Sequence, residues 1–152
     1  MRRIALVVGL WMVAGVGACE DVFVLRGGLE NCRVVFEKSK QGRVGYIGGS
    51  ITASPGWRDM TYEILKKRFP ETAFDFINAG VGGTNSSYGA FRFEEDVLGK
   101  GPVDLLFLEF AVNDDGEQSA DNRYGRAMEG IIRHARSANP KMDIMEIGRA
   151  HV

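Results

Sequence analysis

Apolar residues fall along this chain in two rhythms. Short, nearly continuous apolar runs bounded by glycine or proline read as buried strands. They cover residues 43–48, 73–79, 103–110 and 141–145, the last after Asn139-Pro140. Between them Trp57, Met60, Ile64 and Leu65 recur at helical spacing up to Phe69-Pro70, with Ser54 placed to cap and Pro55 in the first turn. Residues 91–98 predict another helix. Residues 121–138 put Tyr124, Met128, Ile131, Ile132 and Ala135 on one helical face. Residues 22–37 read as irregular, with one short strand over 33–36. Strands alternating with helices predict an α/β fold with a parallel sheet and right-handed crossovers. Ligands in such sheets sit beyond the carboxyl ends of the strands.

Composition narrows the class. The 152 residues allow one domain, or a small domain plus a processed segment. With 45% hydrophobic and 26% charged residues, disorder and a fibrous fold are excluded. The net charge of -1 gives no electrostatic footprint for nucleic acid and no polybasic membrane patch. Two cysteines and two histidines argue against a disulfide scaffold and against a Cys- or His-based metal site. The 20 glycines imply many turns that bring backbone close to something.

Both ends differ from ordinary domain sequence. Met1-Arg2-Arg3 precedes an uncharged apolar run over 4–18, which reads as a signal peptide over 1–18. The run is shorter than a membrane span requires. It ends Val16-Gly17-Ala18-Cys19, which suits signal peptidase and also resembles a bacterial lipobox. The protein is therefore expected to be exported, either free in a secreted or periplasmic form or held at the cell envelope through a lipidated Cys19. An unlipidated Cys19 could pair with Cys32 in an oxidising compartment. The competing reading is a buried N-terminal strand or helix. At the other end, residues 146–152 can be written GAG ATC GGA AGA GCA CAC GTC, which resembles read-through of a common sequencing adapter. The native protein is expected to continue beyond Met145, and His151 then carries no catalytic weight. The resulting division is an N-terminal extension over 19–42, a partial domain over 43–145 and a non-native tail over 146–152.

Three strand ends carry the candidate chemistry. The first reads Gly48-Gly49-Ser50-Ile51-Thr52, the second Asn78-Ala79-Gly80-Val81-Gly82-Gly83-Thr84, and the third Glu109-Phe110-Ala111-Val112-Asn113-Asp114. A serine held by glycines at a strand tip is exposed on a tight turn. That turn could instead cradle a phosphate or be an ordinary turn, and the second glycine run alone could be a dinucleotide loop. No lysine follows in P-loop spacing, and the Rossmann spacing is poor, so no cofactor is expected. The Asn-Asp pair either projects into a site or caps a turn.

In this order and spacing the three segments resemble the SGNH (GDSL-type) hydrolase family, over about residues 43–145. The resemblance implies a three-layer α/β/α sandwich, here incomplete at the C-terminus. It also implies hydrolysis of O-acyl esters, carbohydrate O-acetyl groups among them, through an acyl-serine intermediate. Ser50 matches the nucleophile. Gly83, or Gly82 in the adjacent register, matches an oxyanion-hole glycine, and Asn113 matches the asparagine that supplies another donor. An ester carbonyl under attack gathers charge on oxygen, and preorganised N–H donors stabilise it. Serine also needs a base to take its proton.

The sequence departs from the family in three places. The common Gly-Asp-Ser is Gly48-Gly49-Ser50, and the common Gly-x-Asn-Asp is Ala111-Val112-Asn113-Asp114; both variants occur in a subgroup beginning Gly-Gly-Ser-Ile-Thr. The Asp-x-x-His block that supplies the base is missing, so the chain as given is expected to fold poorly and be nearly inactive, and its full-length parent to be an esterase. His134 reads as a solvated or half-buried structural residue, Trp57 as core rather than cleft, and Asp114 as ordering the Asn113 loop. Asn85-Ser86-Ser87 forms a glycosylation sequon. The competing readings are a non-catalytic carbohydrate-binding or cell-surface module and a nucleotide-binding α/β domain.

Overall fold

A computed structural model describes residues 26–114 and 123–148. The segments read as signal peptide and lipobox, Cys19 and His151 lie outside these residues. The element order is α1 (Glu30–Ser39), β1 (Gln41–Gly48), α2 (Ser50–Ala53), α3 (Trp57–Arg68), β2 (Ala73–Gly80), α4 (Ser86–Asp96), a 3-10 turn (Leu98–Lys100), β3 (Leu105–Glu109), α5 (Ala111–Asp114), α6 (Arg123–Ala138) and β4 (Asp143–Glu146). The four strands form one sheet in the order β2-β1-β3-β4, with every pairing parallel.

Alternation along the strands sorts side chains onto two faces. Val44, Tyr46, Leu105 and Phe107 face Cys32 and Phe36 of α1 and Trp57, Tyr62 and Leu65 of α3. Ile47, Ile77, Ala79, Leu106 and Leu108 face Phe93 of α4 and Ile131 and Ala135 of α6. The result is the expected α/β/α sandwich. Because β1 and β3 are covered on both faces, they read in the sequence as unbroken apolar runs. Tyr46 anchors the first face: its ring stacks on Phe107 at 4.8 Å, and its hydroxyl pairs with that of Thr61 at 2.8 Å. Burial raises the Tyr46 phenol above its ordinary range.

Several local expectations need correction. Residues 33–36 are not a strand but the middle of α1. Val34-Val35 suggested a strand, yet Cys32 and Phe36, four residues apart, are the buried positions. On the outer side Arg33 bridges Glu30 and Glu37 at helical spacing. This helix, inside the segment read as an extension, packs on the sheet.

Ser54 does not cap α3. Its N–H donates to the Ser50 carbonyl at 2.9 Å, closing α2. The α3 helix starts after Gly56, whose N–H donates to the Asp59 carboxylate at 2.9 Å. Met60 and Ile64 are 62% and 63% exposed, because the inner face runs through Trp57, Tyr62 and Leu65 instead. The helix expected over 91–98 begins five residues earlier, at Ser86, capped by the Asn85 side chain accepting the Tyr88 N–H at 3.1 Å. The sequon asparagine is thus a helix cap.

β4 runs to Glu146, and the Ile147 N–H donates to the Leu108 carbonyl at 2.9 Å. Asp143 on β4 reaches back to the start of α1, accepting the Cys32 N–H at 2.8 Å and the Asn31 amide at 2.9 Å.

Candidate active site

Strand register brings the candidate residues together. Gly48 of β1 pairs with Gly80 of β2 on one side and with Glu109 of β3 on the other. The three strands therefore end level, and Ser50, Gly82-Gly83 and Asn113 all follow within four residues of those ends. The end of a central strand flanked by two crossovers is where open α/β sheets bind ligands.

Ser50 is exposed in the first turn of α2. The Gly49 carbonyl accepts the Ala53 N–H at 3.0 Å, which turns the chain sharply out of the strand. Gly82 lies beside Ser50: a Cβ placed on it would stand 3.9 Å from the Ser50 Cβ. Gly83 has φ of 74°, a left-handed conformation that favours glycine, and open space where a side chain would be. Asn113 begins its turn with an N–H donated to the Phe110 carbonyl at 3.0 Å. Its carboxamide lies on Gly49, where an added Cβ would stand 2.3 Å from Oδ1. Oδ1 is buried without a protein partner. The segments holding all three donor positions thus meet around the Ser50 turn.

Asp114 does order this loop. Its carboxylate accepts the Ser86 N–H at 2.9 Å, tying the Asn113 turn to the N-terminus of α4, where negative charge is favourable. Trp57 is in the core, its ring 5.6 Å from Tyr46 and 5.8 Å from Phe107. His134 lies away from the candidate site. It is 61% exposed, 3.8 Å from Glu94, and borders a depression of about 520 Å³ with Gly101, Pro102 and Val103 at the opposite end of β3.

Three neighbours of the Ser50 turn were not singled out from sequence. Glu109, 3% exposed, accepts the Thr52 hydroxyl at 3.0 Å. Its carbonyl takes the Gly49 N–H at 3.3 Å. Arg92 of α4 donates to the Gly48 carbonyl at 3.2 Å. A charged residue closing an all-apolar strand was the one available signal, at Glu109.

A parallel α/β/α sandwich with a glycine-held serine at the end of its central strand is the architecture of the SGNH hydrolases. Residues 46–152 match the GDSL-like Lipase/Acylhydrolase family, and the chain belongs to it. No curated protein matches the chain. Among solved structures, a two-domain esterase active on acetylated mannans, co-crystallised with mannopentaose, is 32% identical with a TM-score of 0.70. The alignment covers 81% of this chain and 35% of that one, so this chain spans about a third of that protein's length. An acetyl xylan esterase is 25% identical with a TM-score of 0.55, over 68% of this chain and 56% of its own. An SGNH-hydrolase family esterase shares the fold at 21% identity and a TM-score of 0.60, covering 74% of this chain and 61% of that one.

Proposed function

We propose that the full-length protein is a serine esterase that removes O-acyl groups, specifically O-acetyl groups carried on carbohydrate. The observation that carries this reading is the level ending of β1, β2 and β3, which gathers Ser50, Gly82-Gly83 and Asn113 at one place. The names of the mannan and xylan esterases support the substrate class.

In this reading Ser50 Oγ attacks the ester carbonyl carbon. The carbonyl oxygen takes the negative charge and is met by the N–H groups of Ser50 and Gly83 and the Asn113 side-chain amide. A histidine accepts the Ser50 proton and returns it to the departing alcohol, leaving an acyl-serine that water hydrolyses. That histidine is expected from an Asp-x-x-His segment of the full-length protein. Export through residues 1–18, with or without a lipid on Cys19, places the enzyme where polymeric carbohydrate is.

The test is to read the source DNA past the codon for Met145, express the whole frame, and assay p-nitrophenyl acetate and an acetylated mannan. Ser50→Ala is expected to reduce both activities to background. Activity retained in that variant overturns the assignment of Ser50. A frame ending at Val152 with no esterase activity favours a binding module.

A further inference from the structure

The Ser50 N–H works as an oxyanion donor only if the turn before it is fixed, and that turn consists of two glycines. Gly48 and Gly49 carry no side chains with which to hold their own conformation. The peptide unit they share is held from outside at both ends. Its N–H donates to the Glu109 carbonyl at 3.3 Å. Its carbonyl, that of Gly48, accepts two donors: the Val81 N–H at 3.0 Å and Nη2 of Arg92 at 3.2 Å. The first of these continues the β1–β2 ladder. The second is an addition from another layer of the fold.

The Arg92 side chain is only 9% exposed. Nη1 pairs with Asp96 Oδ2 at 2.8 Å, and Cζ lies 5.8 Å from the centre of the Tyr88 ring. Nε is buried with no protein partner. The pair with Asp96, whose own side chain is 37% exposed, spans one turn of α4 and does not itself require burial. An arginine turned inward, with one donor left unpartnered, is held there against a desolvation cost. What the inward position adds is a charge-assisted hydrogen bond to the carbonyl two residues before Ser50.

We propose that Arg92 is a positioning residue of the esterase: its guanidinium fixes the Gly48–Gly49 peptide and so aims the Ser50 N–H at the developing oxyanion. The proposal rests on the esterase reading above. Arg92 touches neither the substrate nor the reacting atoms and acts through the peptide it holds. Loss of this bond moves the donor while leaving the substrate's other contacts in place, so its effect falls on turnover rather than on binding.

Two measurements test it. In the full-length protein with p-nitrophenyl acetate, Arg92→Met is expected to lower kcat about 10- to 100-fold, at or below the cost of losing one oxyanion donor outright, with KM changed less than twofold. Arg92→Lys keeps the charge but not the fork, and is expected to recover part of that loss. In the 152-residue chain, hydrogen exchange is expected to accelerate at least tenfold at the Gly49 and Val81 amides in Arg92→Met, with the Leu106 amide unchanged. A kcat within twofold of the parent value together with unchanged exchange at Gly49 overturns the proposal. Uniform acceleration of all amides, Leu106 included, also overturns it and makes Arg92 a packing residue. If Ser50→Ala retained activity, the esterase assignment would fall, while exchange at Gly49 would still decide whether Arg92 holds the turn.

Discussion

The carboxamide of Asn113 lies directly on the backbone of Gly49. A Cβ added at Gly49 would stand 2.3 Å from Asn113 Oδ1 and 2.9 Å from its Cγ, closer than non-bonded atoms approach. The glycine that replaces the common aspartate is therefore matched to the asparagine beside it. In the whole enzyme, Gly49→Ala is expected to push the amide aside and lower kcat by about a hundredfold, the usual effect of losing one oxyanion donor. Asn113→Ala should cost a similar factor. The double variant should cost little more than either single one, because both remove the same donor. Steady-state kinetics on p-nitrophenyl acetate across the four proteins checks this, and multiplicative losses would separate the two positions.

Thr52 and Glu109 form a second link under the Ser50 turn. The carboxyl group is buried, and the Thr52 hydroxyl donates to it at 3.0 Å across 57 residues of sequence. Thr52→Val keeps the shape and removes the donor. The expected cost is about 1–3 kcal/mol, the penalty for leaving a buried acceptor unsatisfied. Urea unfolding of the 152-residue chain measures it. Thr52→Ser should retain most of the stability, since it keeps the hydroxyl and loses one methyl group.

The parts of this fold that were legible in sequence are those whose signal is local. β1, β2 and β3 are nearly where the apolar runs at 43–48, 73–79 and 103–110 put them. β1 and β3, covered on both faces, have no polar side to interrupt the run. The candidates Ser50, Gly83 and Asn113 stand out in the sequence because each lies just past such a run. α1 was hidden because Val34 and Val35 are favoured in strands, although Cys32 and Phe36, four residues apart, are the helix's buried positions. The first turn of α4 was hidden because Ser86-Ser87-Tyr88-Gly89 has loop composition. Arg92 and Glu109 could not be assigned because their partners lie 44 and 57 residues away, and no spacing rule reaches that far.

His134 offers a control for the proposed mechanism, which takes its base from elsewhere. Its side chain is 61% exposed and meets Glu94 at 3.8 Å, at the end of the sheet opposite Ser50. An exposed pairing of this kind contributes at most about 1 kcal/mol. His134→Ala is expected to leave the kcat/KM of the whole enzyme within twofold and its unfolding midpoint almost unchanged. A loss of more than tenfold would mean that His134 reaches the reaction by a route the fold does not provide.

Asp143 and Cys32 join the last described strand to the first helix, and their contact makes a pH prediction. Asp143 is 4% exposed and accepts the Cys32 N–H and the Asn31 amide, capping α1 from 111 residues away. Each hydrogen bond to a charged group contributes about 1.5–3 kcal/mol, so Asp143→Ala should destabilise the chain markedly, chiefly by releasing α1. Burial, then the neighbouring Asp143 charge, push the Cys32 thiol from an ordinary 9.0 up to about 12. Between those values the folded state keeps a proton that the unfolded chain has released. Stability is therefore whole below pH 9 and falls as pH rises toward 12. Urea midpoints measured from pH 8 to 11 should decline in the parent chain, and the decline should be shallower in Cys32→Ala. At pH 8 the buried thiol should resist a disulfide reagent until the chain is unfolded. In a Cys19→Ser background, which leaves Cys32 as the single thiol, rapid labelling of the folded chain at pH 8 would show that α1 does not stay docked on the sheet.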